Sequence, residues 1–119
     1  MSQSLLAMPS QILLMRHAEK PDSGNELSEQ GWQRARLLPN LFTSRQEFKN
    51  FGLPMALYAM SPKKDDGSIR SIQTLKYVSE QFSIPIEKQF NRGQIKELVA
   101  KIKNEKKFNG KMVVICWEH

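Results

Sequence analysis

The sequence predicts an α/β layered domain with a largely parallel sheet, and three observations carry that expectation. Short apolar runs of strand length alternate with longer segments whose apolar residues recur at helical spacing. The last run, from Lys111 to Trp117, is almost continuously apolar, as in a strand covered on both faces. The chain has 119 residues, enough for one hydrophobic core. The expected organisation is a single domain over residues 1–119, with residues 1–10 as a loose N-terminal segment.

The elements follow in order. Gln11-Ile-Leu-Leu-Met15 is a first buried strand, and it runs into the polar turn Arg16-His17-Ala18-Glu19-Lys20-Pro21. Ser28 is an N-cap for a helix in which Trp32, Ala35, Leu38 and Leu41 share a face. Pro39 should end or bend it. Met55–Met60 reads as the second strand, followed by the turn Ser61–Gly67. Ser68 is expected to cap a helix whose stripe is Ile69, Ile72, Leu75, Val78 and Phe82. Ile84-Pro-Ile86 suits a short edge strand, because Pro85 lacks a ladder donor. Ile95, Leu98, Val99 and Ile102 fit one face of a third helix, and Lys111–Trp117 closes the sheet.

Composition excludes several classes. Apolar residues make up 39% and charged residues 25%, with six Gly and six Pro, which is the balance of a globular chain. Cys116 stands alone, so no internal disulfide forms, and two histidines with one cysteine are too few for a structural zinc site. No apolar run reaches the ~20 residues of a membrane span. The N-terminus lacks the pattern of a secretory leader, and the expected location is the cytoplasm.

Charge is uneven. The net value is +6, and Lys101, Lys103, Lys106, Lys107 and Lys111 crowd one stretch. Such a cluster could meet nucleic-acid phosphates. Lysines after a helix also suit its negative end, and only Phe108 interleaves with them, so a solvated surface is the preferred reading.

Ligands of open α/β sheets gather beyond the carboxyl ends of the strands. There the first strand delivers Arg16 and His17, the second leads through its loop to Arg70, and the last delivers Glu118 and His119. Taken singly, an Arg-His turn is ordinary surface, Arg70 is a solvated helix start, and His119 is a chain end. Taken together, two guanidinium groups and two imidazoles make a site for a dianionic phosphoryl group.

These residues resemble the histidine phosphatase superfamily, which includes the phosphoglycerate-mutase-like phosphatases. Ile12-Leu-Leu-Met-Arg-His-Ala-Glu-Lys20 is similar to its opening strand and Arg-His-Gly signature, with Ala18 where Gly is usual. Leu27-Ser-Glu-Gln-Gly-Trp-Gln-Arg-Ala35 resembles its helix entry, and Ser68-Ile-Arg-Ser-Ile-Gln-Thr74 the segment with the second arginine. Val113–His119 resembles the strand that delivers the second histidine. The resemblance covers residues 11 to 119, with the motifs in the family's order.

The resemblance implies a three-layer α/β/α sandwich and a phosphatase acting on phosphoric monoesters or phosphoramidates. His17 would be the nucleophile; Arg16, Arg70 and His119 would bind the phosphoryl oxygens. No metal or other cofactor is implied. The partner would be a phosphorylated small molecule or a phosphoprotein side chain. No general acid is assigned: Glu80, Glu87 and Glu97 fall in the expected stretch but in no family motif, and Glu19 and Glu118 only adjoin the site in sequence. A non-catalytic phosphate-binding or interaction module is the competing class. Phosphoglycerate mutase activity ranks behind phosphatase activity, because the chain has little room for insertions that would enclose such a substrate. The family continues past its second histidine, so this chain reads as truncated at His119, with C-terminal elements missing. One sheet face is then expected to be bare, and phosphate binding weak.

Overall fold

A computed structural model describes residues 11–16, 24–44, 52–63 and 67–117. His17, His119, Glu19 and Glu118 lie outside the described residues, as does the N-terminal segment.

Four strands form one sheet: β1 (Gln11–Arg16), β2 (Ala56–Ala59), β3 (Ile86–Glu87) and β4 (Met112–Trp117). Their order is β1-β4-β2-β3 and every pairing is parallel. Parallel neighbours need crossovers, and helices supply them. These are α1 (Glu29–Leu37), α2 (Pro39–Ser44), α3 (Arg70–Thr74), α4 (Lys76–Phe82) and α5 (Ile95–Asn104).

The last strand in sequence is central in space. All six residues of β4 are buried, which is why its sequence lacks an alternating polar face. Val113, Ile115 and Trp117 pack with Tyr58, Leu98, Ile102 and Phe108 on the α5 side. Met112, Val114 and Cys116 pack with Phe42, Leu57, Leu75 and Val78 on the side of the other helices. The result is the three-layer arrangement expected.

Both faces of β4 and β2 are therefore covered, and the uncovered area is narrower than expected. It falls on β1, where Leu14 is 63% exposed. Leu14 alternates with Leu13 and Met15, which pack toward α2 and α4, so it faces the α5 side.

Local chemistry explains most boundaries. Ser28 Oγ accepts the Gly31 N–H at 3.1 Å and caps α1. The helix stops before Pro39, which opens α2 and is buried, so the proline bends the path without leaving the core. Pro85 precedes β3, an edge strand of two residues.

One expected element is two. The helix begins at Arg70, one residue later than a cap at Ser68 implies, although Ser68 Oγ still accepts the Arg70 N–H at 3.3 Å. It breaks at Leu75, whose backbone leaves helical geometry at φ −92°, ψ 1°. Thr74 supplies a cause: its hydroxyl donates to the Arg70 carbonyl at 2.7 Å, a back-bond that bends helices. Leu75 is fully buried, so the break stays within the core.

The end of α4 is strained. Ser83 adopts a left-handed conformation at φ 57°, a region that costs a non-glycine residue about 1 kcal/mol. Ser83→Gly should therefore raise unfolding free energy by about 0.5–1 kcal/mol. Urea titration with an unchanged m-value is the check, and a destabilised variant would contradict it.

Helix electrostatics accounts for part of the lysine-rich stretch. Lys101 and Lys103 occupy the last turn of α5, where cations favour the helix dipole. Lys101 Nζ bonds Glu105 at 2.6 Å. That hydrogen bond, then its charge, raises the lysine's pKa and lowers the glutamate's.

Candidate functional site

Of the residues expected to bind phosphate, Arg16 and Arg70 lie among the described ones. Arg16 ends β1 and is exposed; it lies in register with Trp117 of β4. Adjacent strands lie about 4.8 Å apart, so the two strands leading toward His17 and His119 are immediate neighbours. Beyond β2, Ser61 bridges Asn91, and its N–H donates to the Phe90 carbonyl at 2.9 Å. Asn91 closes a capping box with Gln94 ahead of α5. Trp117 Nε1 donates to the Arg92 carbonyl at 3.4 Å, tying this turn to β4.

Arg70 opens α3, and its guanidinium is already engaged. Nε donates to the Glu26 carbonyl at 2.9 Å, Nη2 to the Gly24 carbonyl, and Nη1 to Ser68 Oγ at 3.4 Å. The two carbonyls belong to the 24–27 turn between β1 and α1. Gly24 makes that turn at φ 95°, where an L side chain would be strained.

Gln73 completes the clamp. Its Oε1 accepts the Leu27 N–H at 2.8 Å and its Nε2 donates to Glu26 Oε1 at 3.1 Å. The Ile69 N–H donates to the Asn25 carbonyl at 3.0 Å. Four consecutive residues of the turn are thus held by the start of α3.

This geometry refines the part expected of Arg70. A guanidinium presents two bidentate edges. The Nε/Nη2 edge is occupied by backbone carbonyls, so an anion would approach from the Nη1/Nη2 end. Nη1 is held only by the longer contact to Ser68. Arg70 can orient the turn and meet a phosphoryl oxygen from the same pose.

The glutamates separate by position. Glu80 lies ten residues beyond Arg70, in α4, past the break at Leu75. Glu87 ends the edge strand β3, and Glu97 lies in the first turn of α5. Glu26 was not singled out in the sequence, yet its exposed carboxylate is fastened beside Arg70 through Gln73. Only the Leu-Ser helix-entry motif one residue later could have pointed to it.

Cys116 sits directly beneath this edge but is no nucleophile. It is fully buried, and burial pushes its thiol up to about 12, outweighing the opposing Ser71 and Thr74 hydroxyls. Ser71 Oγ is itself buried without a hydrogen bond of ordinary geometry. No cluster of three His, Cys, Asp or Glu able to hold a metal occurs among the described residues. None of the described helices is long and apolar enough to cross a membrane.

The fold is similar to that of SixA from Agrobacterium tumefaciens, a protein assigned as a phosphohistidine phosphatase, whose crystal structure aligns with a TM-score of 0.57. The alignment covers 91% of this chain and 68% of that one, at 17% identity. No protein-family model matches the sequence, and comparison with curated proteins finds no match. At that identity the likeness is one of fold: a phosphoglycerate-mutase-like α/β architecture with a parallel sheet.

Proposed function

We propose that this chain is a phosphatase that works through a phosphohistidine on His17 and needs no metal ion. The observation that supports the reading is the parallel pairing of β1 with β4 in a phosphoglycerate-mutase-like sheet, which sets the strands that lead to His17 and His119 side by side, with Arg16 at the end of β1. Within the domain proposed for residues 1–119, Arg16, Arg70 and His119 bind the nonbridging oxygens of a phosphoric monoester or phosphoramidate. The His17 ring nitrogen attacks phosphorus, and the bond to the leaving group breaks as that group takes a proton. Water then attacks phosphorus and the phosphorus–nitrogen bond breaks, releasing phosphate and restoring the imidazole. Arginine charge matters most as negative charge spreads over the equatorial oxygens. Substrates are phosphorylated small molecules or phosphoprotein side chains, and we place the protein in the cytoplasm.

One observation favours a second reading, a phosphate-binding module without turnover. The bidentate Nε/Nη2 edge of Arg70 is spent on backbone carbonyls, which leaves fewer donors for a transition state. The two readings part in one experiment. Acid quenching during hydrolysis of an aryl phosphate in chelator should trap acid-labile, base-stable phosphate on His17, and His17→Ala should abolish both label and turnover. Saturable vanadate binding with no hydrolysis would establish the binding module. Label on Ser28 or Ser68 would sink the phosphohistidine scheme.

A further inference from the structure

Away from the sheet edge, two cations rest on two aromatic rings in the groove between α1 and α4. Trp32 and Tyr77 meet edge to face, with ring centroids 6.1 Å apart. Lys76 Nζ lies 5.7 Å from the Trp32 ring centre and 5.6 Å from that of Tyr77. The Arg36 guanidinium lies 5.6 Å from the Tyr77 ring. Both rings are half-buried, and both cations are exposed. Leu37, 64% exposed, follows directly on α1.

Local helix chemistry accounts for Arg36, in the last turn of α1, but not for Lys76. Lys76 opens α4, the end where a cation opposes the dipole. Glu80, one turn on, forms no ion pair with it, and no carboxylate among the described residues pairs with Arg36 or Lys76. The rings hold two positive side chains in fixed positions, which lowers the entropy of engaging an anion. Their charge is uncompensated and faces solvent.

We propose that Arg36, Lys76, Trp32 and Tyr77 form a docking surface for an acidic segment of a protein partner, with Leu37 as its apolar margin. The occupied rings decide against nucleic acid. Single-stranded binding relies on bases stacking on open aromatic faces, and here the cations already occupy positions over the rings. Carboxylates need only the outward N–H groups, which no described carboxylate engages. The surface lies on the helices that follow the 24–27 turn and Arg70 and shares no residue with the candidate site. The inference concerns binding alone and stands whether or not the chain hydrolyses phosphate.

The test is fluorescence anisotropy with a fluorescein-labelled Glu-rich peptide and the full chain at low salt. The double variant Arg36→Glu, Lys76→Glu should weaken binding about tenfold, since two rim charges change sign. Lys103→Glu, Lys106→Glu makes the same change in net charge elsewhere and should leave binding within about twofold, the reach of long-range charge alone. The milder pair Arg36→Gln, Lys76→Gln, with melting curves for every variant, separates lost docking from lost folding. Equal weakening by both charge-reversal pairs would reduce the effect to net charge and overturn the proposal. So would the absence of measurable peptide binding, or tighter binding of a single-stranded oligonucleotide of equal charge.

Discussion

Replacing Arg70 with lysine is expected to lower kcat/KM for an aryl phosphate by about 10²–10³, the usual effect of deleting one positioned donor to a transition-state oxygen. Charge survives the change, but a lysine cannot reproduce the fork. The structure adds a second loss. Arg70 also holds the Gly24 and Glu26 carbonyls, and a single ammonium cannot span both while facing an anion. These bonds are charge-assisted but solvent-exposed, and each contributes about 0.5–1.5 kcal/mol net, so the variant should also lose about 1–3 kcal/mol of stability. Gln73→Leu supplies the control. It removes the contacts to Leu27 and Glu26 while sparing the guanidinium, and should reproduce much of the stability loss with a smaller fall in kcat. Arg70→Lys with unchanged kcat/KM would remove Arg70 from the phosphoryl site.

Alkaline stability should report on Cys116. Burial raises its thiol from the ordinary 9.0 to about 12, so the folded state disfavours the thiolate. The unfolded chain releases this proton first. Stabilisation from the neutral thiol is therefore fully present below pH 9 and is lost progressively as pH rises toward 12. At about 1.4 kcal/mol per pH unit, the loss reaches about 4 kcal/mol at the upper end. Tyr58, also raised by burial, adds an alkaline slope common to wild type and variant. The measurement is thus the difference in unfolding free energy between wild type and Cys116→Val, followed from pH 8 to 12. That difference should be flat up to pH 9 and then move steadily in favour of the variant. Parallel curves, or rapid alkylation of the native thiol at neutral pH, would contradict the burial of Cys116.

The candidate site was partly legible. Arg16 and Arg70 follow strand and loop signals that depend on a few neighbouring residues: Arg16 ends β1, and Arg70 opens the helix after β2. Their partners were not legible. Arg70 bonds a turn 44 to 46 positions earlier, and Glu26 is drawn to it by Gln73 across a gap of 47. Contacts of that separation depend on how crossovers stack, which near-neighbour spacing does not encode. The break at Leu75 was hidden for a different reason. A stripe of Ile72, Leu75 and Val78 reads the same whether the helix is straight or bent, because the apolar face is buried in both cases.

Periodicity and breaker residues were thus enough for the class of fold: a continuous apolar run made β4 a doubly covered strand, Ser28 started α1, and Pro39 turned the chain. These are short-range effects of solvation and backbone sterics, and a linear string of residues contains them. Tertiary packing alone decided that the last strand lies between β1 and β2, that Leu14 faces solvent while Leu13 does not, and that Lys76 rests on Trp32 and Tyr77. Such outcomes depend on which surfaces meet when helices close over a parallel sheet. That choice is made by total burial across the whole chain.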